Sequence, residues 1–217
     1  MKLPLISRIK KELHKNIAVA QDILIEETIK IIPSTVFHGG TCIWRCYSGK
    51  RFSEDLDFYF PKKIDLIEKL FQNLENKGFE IKKKKISDRS VYSELMYNRA
   101  SVRLEATFQN IRGVLLDYEK VDGTLISIYG LAVEQLLNEK INAYLSRKKI
   151  RDIYDIFFLM RLVDNVSLID KNIKKVINDC DIPEDVEDLK VLLLEGIVPK
   201  FNELKEYIKR KWENPNI

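Results

Sequence analysis

Asp55 and Asp57 stand one residue apart, and they follow His38-Gly39-Gly40-Thr41 by way of a stretch ending Arg51-Phe52-Ser53-Glu54. Side chains alternate faces along a β-strand, so this spacing puts both carboxylates on one side, a few ångströms apart. Two carboxylates that close repel, and a fold rarely sets them together without a cation. Hard oxygen ligands with room for water and phosphate suit Mg²⁺ or Mn²⁺. Gly39 and Gly40 let the backbone approach a phosphate, and a helix beginning after them would offer its N-terminus to an anion. Thr41 is placed to cap that helix, a task compatible with phosphate binding. Together these residues suit metal-dependent transfer of a phosphate-bearing group. The plain alternative is a polar turn followed by the exposed side of an edge strand.

Periodicity outlines the elements that must hold them. Apolar residues at helical spacing from Leu5 to Ile32, ended by Pro33, predict an N-terminal helix. Val36-Phe37-His38 predicts a short buried strand, residues 41–47 a helix, and Asp55 to Phe60 a strand stopped by Pro61. Ile64, Ile67, Leu70, Phe71 and Leu74 mark an amphipathic helix that closes at Gly78. From Phe79 to Ile128 the apolar period becomes two, which predicts a strand meander turning at Asn98-Arg99 and Asp122-Gly123. Within it, Val102, Leu104, Ala106 and Phe108 share one face, and Arg103, Glu105 and Thr107 share the other. Lys82 to Lys85 either grip nucleic-acid phosphates or guard an exposed edge strand against pairing with another chain. Helices return after Leu131, which predicts a sheet domain over 1–129 and a helical domain over 130–217.

Composition sets the outer limits. A chain of 217 residues, 45% hydrophobic and 32% charged, can bury a full core and is not of the disordered class. No run of about eighteen apolar residues occurs, and the N-terminus lacks a secretory pattern, so a cytoplasmic location without membrane partners is expected. Cys42 and Cys46 fall in the helix after the glycines, where buried thiols are the plain reading. Two histidines in the whole chain leave little for a histidine-centred apparatus or a zinc site. His38 is read as a structural strand residue. The net charge of +4 is compatible with RNA or nucleotide partners.

Gly39-Gly40-Thr41, a short helix, and then Arg51-Phe-Ser-Glu-Asp-Leu-Asp-Phe58 resemble the signature of the AbiEii/AbiGii-type toxin nucleotidyltransferases. That family lies within the polymerase-beta-like nucleotidyltransferase superfamily. A second block agrees with it: Glu139-Lys140-Ile-Asn-Ala-Tyr-Leu-Ser-Arg147, followed by Arg151-Asp152-Ile-Tyr-Asp155. The resemblance covers roughly residues 17 to 165.

It implies an α+β fold, a nucleotidyltransferase-like mixed β-sheet core flanked by helices, whose C-terminal helical region completes the active site. It also implies transfer of NMP from an NTP, GTP or CTP undecided, to an acceptor hydroxyl of RNA, with tRNA a plausible end. The system would be a toxin–antitoxin or abortive-infection pair with a cognate antitoxin. By resemblance Glu105 joins Asp55 and Asp57 as metal ligand and catalytic group, although family members often carry Asp there. Asp117 is a less favoured alternative. Arg51 and Ser53 fall on family positions where either could contact phosphate or brace the metal loop. Lys140 and Arg147 lie two helical turns apart, on one face, and can both reach triphosphate oxygens. One of Asp152 and Asp155 is implied to orient the site's cations, with Lys140 and Asp152 favoured as the catalytic pair and Arg147 and Asp155 at the nucleotide; the plain alternative pairs Asp152 with Lys148 and Asp155 with Arg151 on the helix surface. Ala20-Gln21-Asp22 departs from the acidic–lysine pair that members often show in the helix before the glycines. Two other readings remain: NMP transfer to a protein or small molecule, and a silent nucleotide- or RNA-binding module.

Overall fold

The computed structural model describes residues 3–163, 165–178 and 181–214. The chain divides into two compact units, Met1–Leu131 and Ala132–Ile217.

The first unit opens with α1 (Leu5–Arg8) and α2 (Glu12–Ile31), followed by β1 (Val36–His38) and α3 (Gly39–Cys46). Next come β2 (Leu56–Phe60), α4 (Ile64–Asn76), β3 (Glu80–Ile86), β4 (Ser90–Tyr97) and β5 (Ala100–Phe108). The hairpin β6 (Val114–Glu119) and β7 (Leu125–Gly130) closes the unit. The predicted N-terminal helix is broken between Arg8 and Glu12. There the chain spends its bonds elsewhere: Ile6 N–H donates to the Val121 carbonyl and the Arg8 guanidinium pairs with Glu119. α2 ends where expected, because Ile32, which precedes Pro33, is pushed out of helical backbone (φ −125°, ψ 70°). α4 buries Ile67, Leu70, Phe71 and Leu74, the stripe its spacing foretells.

Seven strands form one mixed sheet in the order β3-β4-β5-β2-β1-β7-β6. This corrects the single meander. β3, β4 and β5 do run as an antiparallel meander, but β5 docks parallel to β2. The chain then crosses to the other side of β1, where β7 pairs parallel with Phe37 and β6 becomes the far edge. A period of two locates strands without saying which neighbours they choose, so the split was not visible in the pattern.

The second unit holds α5 (Val133–Arg147), α6 (Ile150–Met160), α7 (Ile173–Asn178), α8 (Leu189–Leu192) and α9 (Phe201–Glu213). Its core includes Leu136, Ile141, Tyr144, Ile153, Leu159, Ile173, Leu204 and Ile208. Lys148 takes a left-handed backbone (φ 51°) between α5 and α6 and turns the chain sharply. No helix among the described residues is long and apolar enough to cross a membrane.

Candidate active site

At the end of β1, His38 is extended and Gly39 takes φ +75°. α3 begins at the glycines themselves rather than after them. A Cβ on Gly39 would collide with Asp57 Oδ2, and one on Gly40 would lie 2.6 Å from both an Arg51 guanidinium nitrogen and Ser53 Oγ. The glycines are thus required first by the protein's own side chains: Asp57 rests against the start of α3, and the loop before β2 closes over Gly40. His38 gives α3 no side-chain cap.

That loop is held from several sides. Thr41 is buried and its hydroxyl donates to the Asp55 carbonyl, so it ties α3 to β2 instead of capping the helix. Gln21 on α2 is fully buried and its amide nitrogen donates to the carbonyls of Ser53 and Glu54, each at 2.9 Å. Arg51 is buried too and donates to the Phe52 carbonyl, so it is no surface arginine. Asp22 pairs with Arg45 of α3 and accepts from the Tyr118 hydroxyl and the Val121 N–H. Burial pushes the Asp22 carboxyl upward, and Arg45 opposes the shift. The Ala20-Gln21-Asp22 departure therefore fastens α2 to the loop and to α3.

Asp57 on β2 is the register partner of Glu105 on β5, and His38 on β1 is the register partner of Asp57. Burial first, and then Asp57 and Asp55, push the Glu105 carboxyl above its ordinary range, while Arg103 opposes them. Arg103 itself grips Asp55 through two bonds of 2.7 Å. Arg103 is thus hydrogen-bonded to Asp55, although it shares a face with Glu105. Among the described residues no group of three or more His, Cys, Asp or Glu is arranged to enclose a metal, and the Asp55 carboxylate is turned to Arg103. A cleft of about 280 Å³ lies over this row, lined in part by His38, Asp57, Ser90, Tyr92, Glu105 and Thr107. The His38 ring stacks on Tyr59, with centroids 4.1 Å apart. Asp117 lies exposed on β6, three strands from β2, outside this cluster.

His38, Tyr92, Ser90, Thr107 and Arg103 join the site without a motif to announce them. For His38 the signal was available: it ends the strand that leads into the glycines, and its parity aims it at the carboxylates. Tyr92 and Ser90 depend on how β4 registers against β5, which no local pattern states.

The second block assembles in the helical unit. Lys140 Nζ is 2.9 Å from Asp155 and 3.8 Å from Asp152, and Arg147 makes two bonds of 2.6 and 2.7 Å to Asp152. Asp152 and Asp155 are 0% and 1% exposed and Lys140 is 7% exposed. The surface pairs Asp152–Lys148 and Asp155–Arg151 are therefore replaced by a buried network. Lys140 and Arg147 do share a face of α5, as their spacing requires, and both meet Asp152.

Residues 30–195 match the family model described as the nucleotidyl transferase AbiEii toxin of type IV toxin–antitoxin systems. The chain belongs to this family. The AbiEii match starts later than the resemblance read from motifs and runs on to 195, so much of the helical unit lies within it. In structure the chain is similar to MenT4, a nucleotidyltransferase toxin of Mycobacterium tuberculosis H37Rv. The TM-score is 0.65 at 19% identity, over 92% of this chain and 82% of MenT4. It is also similar to JHP933 from Helicobacter pylori, with a TM-score of 0.60 at 20% identity, over 91% and 94% of the two chains. These identities establish a shared fold. No curated protein matches the sequence. The mixed sheet followed by helices is the AbiEii architecture, as the motifs implied.

Proposed function

We propose that this AbiEii protein transfers NMP from an NTP to a terminal hydroxyl of RNA, a tRNA end included, and is the toxin restrained by a cognate antitoxin. The observation that carries the reading is the in-register pair Asp57–Glu105, set beside the start of α3 in a nucleotidyl transferase family. Charge supports a divalent ion here: burial, then Asp57 and Asp55, raise the proton affinity of Glu105 against Arg103, and a cation would relieve the repulsion. Asp57 and Glu105 would hold Mg²⁺ or Mn²⁺, with Asp55 as a further ligand once released by Arg103. The ion's chemistry there is charge compensation at the α-phosphate and polarisation of the acceptor hydroxyl.

The chain's own groups do the rest. Glu105, in register with Asp57 on the open face of the sheet, takes the acceptor hydroxyl's proton. The freed oxygen forms a bond to the α-phosphorus as the bond to the bridging oxygen breaks, and pyrophosphate departs with that electron pair. The N–H groups that open α3, which the His38 side chain does not cap, favour phosphate oxygens. Arg51 and Ser53 brace Gly40 in that turn. In the helical unit, Arg147 is held by Asp152 while its side chain stays 43% exposed, so it is the cation there able to meet a phosphate. Lys140, buried between Asp152 and Asp155, acts as a positioning residue for that network.

The test is label transfer from each α-³²P NTP, with Mg²⁺ or Mn²⁺, into cellular RNA and protein, using Asp57→Asn and Glu105→Gln as controls. Label in RNA that both variants abolish is the expected result. Label in a protein band would replace the acceptor, and no label with NTP binding intact would leave a silent binding module.

A further inference from the structure

The open face of the sheet carries a row of side chains that continues past the carboxylates. Register partners run His38–Asp57, Asp57–Glu105, Glu105–Tyr92 and Tyr92–Lys85, across β1, β2, β5, β4 and β3. Strands lie about 4.8 Å apart, so Lys85 stands roughly 14 Å from Asp57 along this row. One position along the same face, Lys83 is opposite Glu94, and its ammonium sits 5.1 Å from the centre of the Tyr92 ring.

The four lysines of β3 sort by partner. Lys84 reaches the helix-covered face, where it pairs with Glu68 and lies over the Phe71 ring. Lys82, at the irregularity in the β3–β4 register, pairs with Glu80. Lys83 and Lys85 are exposed, and among the described residues neither has a carboxylate partner. A guard against edge-to-edge pairing would be served by any charges on β3. It gives no reason for the two uncompensated ammoniums to fall on the face that leads to Glu105, or for a half-buried tyrosine to stand between them and the carboxylates.

Resting on the RNA-acceptor reading above, we infer that this face is the track for the acceptor strand. The terminal nucleotide lies at Asp57 and Glu105, a base stacks on Tyr92, and the preceding phosphates lie on Lys83 and Lys85. The partner is single-stranded RNA. Charge complementarity runs in one direction, acidic where the reacting hydroxyl meets the metal ligands and basic where the phosphodiesters follow. An aromatic platform within a cationic groove is how single strands are held without base-specific contacts.

The experiment measures binding of a short single-stranded RNA oligonucleotide between about 50 and 200 mM KCl. It compares wild type, the Lys83→Ala/Lys85→Ala double variant, and Lys82→Ala/Lys84→Ala as a charge-matched control. Two lost phosphate contacts should reduce the slope of log K against log [KCl] by about 1.4 in the first double variant, and the control should keep the wild-type slope. In the transfer assay Tyr92→Ala should raise the KM for RNA about tenfold with the NTP KM unchanged, and Tyr92→Phe should restore it. Equal loss in both double variants would reduce the effect to bulk charge and overturn the track, as would an unchanged slope. RNA labelling with an unchanged slope would keep the transferase reading and discard the track. A changed slope without RNA labelling would keep the track as an RNA-binding surface and discard the acceptor. Protein labelling by an enzyme that binds no RNA would discard both.

Discussion

The chain holds two clusters of carboxylates, and they are neutralised in opposite ways. In the helical unit Asp152 and Asp155 are sealed from solvent, and Lys140 and Arg147 answer them one for one. In the sheet unit two carboxylates act on Glu105 against a single guanidinium, and that guanidinium is committed to Asp55. A balanced buried network fixes geometry, and removing one member leaves a charge stranded. A cluster that lies on an open face is accessible to ligands from outside, which is why the proposed chemistry is assigned to it. The contrast teaches which acidic residues to associate with chemistry and which with placement, although both blocks look alike as sequence motifs.

Four substitutions break or sharpen this contrast. The largest effect is expected for Glu105→Gln, which should lower transfer by about 10²–10⁴-fold if Glu105 accepts the proton. Its melting temperature should hold or rise, because a repelled carboxylate has been removed; a collapse of stability would place Glu105 with the structural cluster instead. Lys140→Ala should behave in the opposite sense, with stability falling by about 3–5 kcal/mol as Asp152 and Asp155 lose a buried partner. Urea unfolding measures it, and an unchanged midpoint would show that the network tolerates the loss. Arg103→Ala should alter stability by less than about 1 kcal/mol, since the pair is partly exposed. Freeing Asp55 should at the same time tighten Mn²⁺ binding in a calorimetric titration, and weaker binding would mean that Arg103 helps assemble the site.

The smallest effect lies apart from both clusters and serves as their control. His14 stacks on Phe52, and burial, then Lys11, lower its pKa from 6.5. The folded state therefore favours neutral His14, a contribution present above pH 6.5 and lost as pH falls through the lowered value. His14→Gln should flatten the fall in melting temperature between about pH 7.5 and 5.5. An unchanged profile would move that dependence to the carboxylates.

Much of this arrangement was legible before any coordinates. The glycine pair, the Asp55-Leu56-Asp57 alternation and the parity that turns Glu105 away from Leu104 and Ala106 are local patterns, and local patterns survive folding. What escaped was pairing at long range. Gln21 looks like one more polar residue on a helix until its amide is found bridging two carbonyls more than thirty residues away. Arg103 shares a face with Glu105, yet it chooses Asp55, just before the neighbouring strand. Asp152 and Asp155 each have a cation four residues back, so the surface pairing was the natural reading. The sharp turn at Lys148 offered better-buried partners on α5. The strand order depends on the same kind of information, since β5 and β7 select neighbours far from them in the chain.

The crowding at Gly39 has a practical consequence. A single methyl group there would collide with the Asp57 carboxylate and force an L-residue into left-handed backbone, while removing no charged group from the site. Gly39→Ala is thus a way to disarm the protein by displacement alone. If the proposed transfer is what makes the protein toxic, a host should tolerate that version, and it would serve as bait in a search for a cognate antitoxin, its sequence changed by a single methyl group.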